Sequence, residues 1–95
     1  MTRAELETLW AEVRKHFDAA VLLLPNPPRA GEEGGTIEEF RNWLEHNELE
    51  LALEELEMLG DVNQVPDEYW LRLASAARLM NLNEHEDRYR QRTHC

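Results

Sequence analysis

The chain has one cysteine, Cys95, one serine, Ser75, and one lysine, Lys15. A single thiol cannot close an internal disulfide, and there is no Cys pair of the kind that holds zinc. No apolar run is longer than the six residues Ala19 to Leu24, whereas a membrane span needs about 20. The start, Met1-Thr2-Arg3-Ala4-Glu5, lacks the basic region and apolar stretch of a secretory signal. These absences lead to the expectation of a cytoplasmic protein, in a compartment where a free thiol is tolerated. Positive charge is also scarce, with ten bases against twenty acids and a formal charge of −10. Non-specific nucleic-acid binding needs a basic surface, so that class is disfavoured.

What is present suits one small domain over residues 1–95. A chain of 95 residues buries roughly 60–70% of its unfolded surface, which permits a modest core without metal or disulfide. Thr2 and Glu5 have the spacing of a capping box, in which the hydroxyl takes one free amide and the carboxylate reaches back to another. Leu6, Leu9, Trp10, Val13, Phe17, Ala20 and Leu24 follow at spacings of three and four, predicting a helix from about Arg3 to Leu23. Pro25-Asn26-Pro27-Pro28 ends it, and the Pro/Gly-rich stretch to Gly35 reads as a mobile loop.

Thr36 and Glu39 form a second capping box, before Ile37, Phe40, Trp43 and Leu44 on one face. Asn tolerates the left-handed conformation that closes helices, so a turn is expected at Asn47, with an unbroken helix as the alternative. Leu49, Ala52, Leu53, Leu56 and Leu59 restart the stripe, and Gly60 is expected to cap its end. Pro66 suits a helix start with Asp67 and Glu68 beside it, and Trp70, Leu73, Ala74 and Ala77 form that helix's stripe. Asn81 is a plausible cap. Asn83 and Glu86 suggest a third capping box, opening a last helix with Glu84–Arg88 and Glu86–Arg90 pairs. No segment alternates with period two. The expected fold is all-α, with four to five short helices in antiparallel hairpins forming a compact helical bundle around a loop at 25–35.

No constellation of catalytic residues emerges. The histidines His16, His46, His85 and His94 lack zinc-site spacing, and consecutive His85-Glu86-Asp87 diverge around a helix, so no metal or other cofactor is expected. Ser75 has no histidine at helical spacing, and Gly31 to Gly35 follows a helix among acids that repel phosphate. The tryptophans Trp10, Trp43 and Trp70 fall on apolar faces. Trp43, at the edge of its stripe, is the best candidate for an exposed anchor.

The distinctive feature is the placement of charge. Residues 31–68 hold thirteen acids and only one base, Arg41. Glu50, Glu54, Glu57 and Asp61 recur at helical spacing opposite the apolar stripe, and Glu45, Glu48 and Glu55 lie in the same neighbourhood. No base within residues 42–68 offsets them. The row reads either as a solubilising surface or as a docking face for a basic partner.

The stretch from Phe40 to Leu56 carries the pattern hydrophobic-Leu-x-His-Asn-Glu-x-x-x-Ala-Leu-x-x-Leu, here Trp43 through Leu56. It resembles small helical bacterial immunity proteins of polymorphic toxin systems, of the type found beside Maf-like toxins. The resemblance covers about a fifth of the chain. It implies structural roles for Leu44, Ala52, Leu53 and Leu56, and a turn shaped by His46, Asn47 and Glu48. It also implies a protein partner, a basic toxin of the nuclease kind, but it carries over no contact residues. The charge pattern and the edge position of Trp43 give those expected to meet it: Trp43, Glu45, Glu48, Glu50, Glu54, Glu57 and Asp61. The other reading open to the sequence is a cytoplasmic adaptor or regulatory module, homodimeric in one form, with no toxin partner. Neither reading is enzymatic.

Overall fold

A computed structural model describes residues 2–31 and 35–93. Cys95, His94 and the acids Glu32 and Glu33 lie outside the described residues. Five helices follow one another: α1 (Arg3–Val21), α2 (Ile37–Glu45), α3 (Leu49–Val62), α4 (Asp67–Leu79) and α5 (Asn83–Arg90). The described residues contain no strand. The all-α architecture expected from the apolar spacing is the one observed.

Helix α3 sits at the centre. It buries Leu49, Ala52, Leu53, Leu56 and Leu59, against α2 on one side and α4 on another. α1 lies along α4 and contributes Val13, Phe17 and Ala20 to the same core. Phe17 meets Phe40 of α2 edge to face, with ring centroids 5.8 Å apart, a favoured aromatic geometry. Leu6, Leu9 and Trp10, earlier on the α1 stripe, are only partly covered. α5 packs on α4 through Tyr89, the one buried residue of an otherwise polar helix.

Both hairpins turn in the same way. Asn47 (φ 56°) and Asn81 (φ 59°) are the non-glycine residues with positive φ among the described residues, and they stand 34 positions apart. After each, an amide reaches back five residues: Glu48 N–H to Trp43 O at 2.8 Å, and Leu82 N–H to Ala77 O at 2.9 Å. This is the left-handed helix closure that Asn supports, and it excludes an unbroken helix through Asn47. The separation equals the length of a tetratricopeptide repeat, although two hairpins are fewer than such an array needs.

Two helix boundaries differ from expectation. Gly60 does not cap α3, which runs on to Val62. Gly60 is buried instead, and a Cβ there would lie 2.7 Å from Tyr69 Cε1 and 2.8 Å from Trp70 Cη2. Glycine is required because two aromatic rings pack against the helix backbone. The third capping box is also absent: Leu82 occupies the cap position of α5, with no side-chain cap hydrogen bond. The Schellman-type closure at Asn81 sets the entry to α5 and leaves Asn83 inside the helix.

Candidate functional site

The acidic neighbourhood is built on α3 and the turn before it, and the structure divides it into three groups. The first is a single buried carboxylate. Glu55, 8% exposed, faces inward, and its Oε2 accepts from Gly35 N–H at 2.9 Å and Thr36 N–H at 3.0 Å. Thr36 caps α2 by accepting from Glu39 N–H at 3.0 Å. The expected capping box thus has its hydroxyl half, but Glu55 from α3 supplies the carboxylate half in place of Glu39. A carboxylate at a helix N-terminus satisfies free amides and opposes the positive end of the helix dipole. Glu55 therefore belongs to the fold and not to an outward face.

The second group is Glu54, Glu57 and Asp61, which meet α5 and Arg92 just beyond its end. Glu54 Oε2 lies 3.0 Å from His85 Nε2. Glu57 accepts from Arg88 Nε at 2.7 Å and Arg88 Nη2 at 2.8 Å, a two-pronged contact, and from the Tyr89 hydroxyl at 3.0 Å. Asp61 accepts from Arg92 Nη1. Each basic partner follows its acid by 31 positions. A constant offset means that α3 and α5 run parallel and in register. No base within residues 42–68 offsets this row, but bases one hairpin further on do. Arg88 is thereby drawn away from Glu84, its expected partner, while Glu86–Arg90 forms at 2.9 Å. Arg92 also lies 4.5 Å over the Trp70 ring, a cation–π placement.

These contacts shift proton affinities. Burial pushes the Glu57 carboxyl up, but hydrogen bonds from Arg88 and Tyr89, aided by the charges of Arg88 and Arg92, outweigh it and hold the group below its ordinary value of 4.5. Burial and the adjacent Glu57 charge raise the Tyr89 hydroxyl, which stays protonated and donates. Tyr69 is raised by burial and by Asp61, and its hydroxyl donates to Leu56 O. On the opposite side, burial and the nearby Arg72 hold His16 below 6.5.

The third group is Glu45, Glu48 and Glu50. All three are exposed, they fall within six residues of one another around Asn47, and among the described residues none forms an ion pair. The turn that carries them is held from α1: Arg14 Nη2 donates to Leu44 O at 2.9 Å and to Asn47 Oδ1 at 3.2 Å. Helix α2 has no base in its own last turn, so Arg14 supplies the cation that its negative end favours. Trp43 is half-buried, packed against the core with part of its surface open. Among the described residues, the exposed large apolar ones are Leu22, Leu51, Val62 and Leu71, and Leu51 (38% exposed) adjoins the acidic turn.

Two described positions of the loop expected to be mobile, Arg29 and Gly35, are held by α3 and its C-cap Asn63. Asn63 accepts from Arg29 N–H and donates to Arg29 O, each at 2.8 Å, and also donates to Leu59 O at 2.8 Å. Glu55 holds the other end at Gly35. Neither role was visible in sequence spacing, since the partners lie 34 and 20 positions away. A shallow cleft of about 620 Å³ opens between the end of α3 and the start of α4, beside Asp61, Asn63, Pro66, Trp70 and Arg92. Among the described residues its lining contains no histidine, serine or cysteine. No helix among the described residues is long and apolar enough to cross a membrane.

Comparison with protein-family models, with characterised proteins and with solved structures returned no match.

Proposed function

We propose that this protein acts by binding, as a stoichiometric inhibitor of the immunity type that neutralises a basic toxin. The observation that carries the reading is the unpaired acidic turn. Among the described residues, Glu45, Glu48 and Glu50 remain exposed without cations, while α5 supplies partners to Glu54 and Glu57, and Arg92 just after it supplies one to Asp61. Exposed carboxylates concentrated on one rigid turn create a local negative field. Such a field steers a basic partner and supplies specificity more than raw affinity. Leu51 beside the turn offers apolar area for the contact itself. The docking surface is therefore centred on the α2–α3 turn and not on the whole length of α3.

The test uses the full chain and a variant carrying Glu45→Lys, Glu48→Lys and Glu50→Lys, with circular dichroism to verify the fold. Both are used as baits in a lysate of the source organism, and the captured protein is then purified for kinetics. The expected result is one basic protein held by the wild type, with association slowed at least tenfold in the variant at low salt and the two rates converging at high salt. Equal rates at low salt reject the acidic turn as a docking face. If no partner is captured and the chain sediments as a dimer, the adaptor reading replaces the inhibitor.

A further inference from the structure

Glu50 and Glu54 stand one helical turn apart on α3, so their carboxylates leave the same face. α5 brings His85 alongside them, with Nε2 3.0 Å from Glu54 Oε2 and the imidazole side chain only 16% exposed. One donor atom from each of the three residues lies within 4.8 Å of the others. Ligands held about 2.0–2.2 Å from a tetrahedral zinc-sized ion sit roughly 3.3–3.6 Å from one another, so side-chain rotation brings all three onto one cation. The charge balance favours this. Further along the row, Glu57 and Asp61 have guanidinium partners, but among the described residues Glu50 has no cation and Glu54 has only an imidazole, which carries no permanent charge.

We propose that Glu50, Glu54 and His85 form a binding site for a divalent transition-metal cation of the zinc class, with the remaining coordination positions taken by water. One imidazole and two carboxylates suit such an ion, whereas magnesium and calcium prefer oxygen donors alone. The ion bridges α3 to α5 in line with the Glu57–Arg88 and Asp61–Arg92 contacts. The consecutive triplet His85-Glu86-Asp87 cannot converge, but the fold supplies His85 with ligands from another helix. This inference does not depend on a partner protein.

Zinc chloride is titrated into the full chain in a non-chelating buffer near neutral pH, with binding read by calorimetry and stability by thermal unfolding. The expected result is one equivalent bound per chain, a raised unfolding midpoint, and affinity at least tenfold weaker in Glu50→Gln and in His85→Ala. Magnesium at the same concentration leaves the midpoint unchanged. A chain carrying His94→Gln and Cys95→Ser binds as the wild type does. Glu50→Gln removes an exposed group with no ion pair, so it keeps the test decisive even if His85→Ala weakens the fold. Equal zinc affinity in wild type and Glu50→Gln overturns the proposal. Loss of binding in the His94→Gln, Cys95→Ser chain, or no saturable binding at all, overturns it as well.

Discussion

Glu55 offers the sharpest test of how this fold is held together. Its carboxylate oxygen receives two backbone amides, from Gly35 at 2.9 Å and Thr36 at 3.0 Å, in a setting where the side chain is 8% exposed. Hydrogen bonds to a charged group contribute about 1.5–3 kcal/mol each, and a buried donor left without a partner keeps its full desolvation cost. Gly35 is buried, so water does not replace the lost acceptor there, whereas Thr36 is half-exposed and recovers part of its loss. Glu55→Ala should therefore cost about 3 kcal/mol, and Glu55→Gln, which keeps a neutral acceptor of the same shape, about 1 kcal/mol. For a domain of this size each kcal/mol lowers the unfolding midpoint by roughly 4–8 °C. The alanine variant should melt roughly 12–24 °C below wild type, with the glutamine variant between them. Urea unfolding followed by circular dichroism gives the free energies, and amide exchange should show Gly35 and Thr36 losing protection. An alanine variant within about 0.5 kcal/mol of wild type, or no difference between the two variants, refutes the assignment.

Three further outcomes follow from the same structure. Gly60→Ala gains about 1 kcal/mol of helix propensity but drives a methyl group against the Tyr69 and Trp70 rings at 2.7 and 2.8 Å. Overpacking of roughly 1–3 kcal/mol should win, so the urea midpoint should fall. Asn81→Gly should stay within about 1 kcal/mol of wild type, while Asn81→Val, β-branched at φ 59°, should cost roughly 1–3 kcal/mol more by the same assay. For Glu57, the native pKa lies below the unfolded value of 4.5, so its contribution is fully present above that value and is lost as pH falls through the native pKa. The stability gap between wild type and Glu57→Gln should narrow as pH drops below about 4.5, and a gap that stays constant into acid contradicts the pairing.

The parts of the fold legible in the sequence were those set by neighbours along the chain. Thr2 and Thr36 cap their helices as the short spacing implies. Asn47 takes the left-handed conformation because a polar side chain near the backbone lowers its cost. The apolar periodicity of α3 and α4 predicts most of their buried residues. The expectations that failed were set by residues far apart. Gly60 looks like a terminator from its position after Leu59, but only the approach of Tyr69 and Trp70 explains it. Asn83 and Glu86 have the right spacing for a capping box, yet the preceding turn begins the helix elsewhere. Glu55 stands three residues after Ala52 and four before Leu59, beside the apolar stripe and away from Glu54 and Glu57, but a charged side chain argued against burial until its amide partners were seen.

The charge count of residues 31–68 overstates the field that this region turns outward. Glu55 neutralises a helix end from inside, and Glu57, its side chain only 15% exposed, is enclosed by Arg88 and Tyr89. Asp61 is matched by Arg92. A helical repeat shows which acids share a face, but it does not show whether another helix brings cations to that face. Here the answer lay in the offset of 31 positions between α3 and α5. The two helices open after asparagines 34 residues apart, so the pairing register is three residues shorter than the spacing of the turns. This register sets which carboxylates are paired. It leaves Glu45, Glu48 and Glu50 beside the first turn, ahead of the stretch of α3 where Arg88 and Arg92 find their partners.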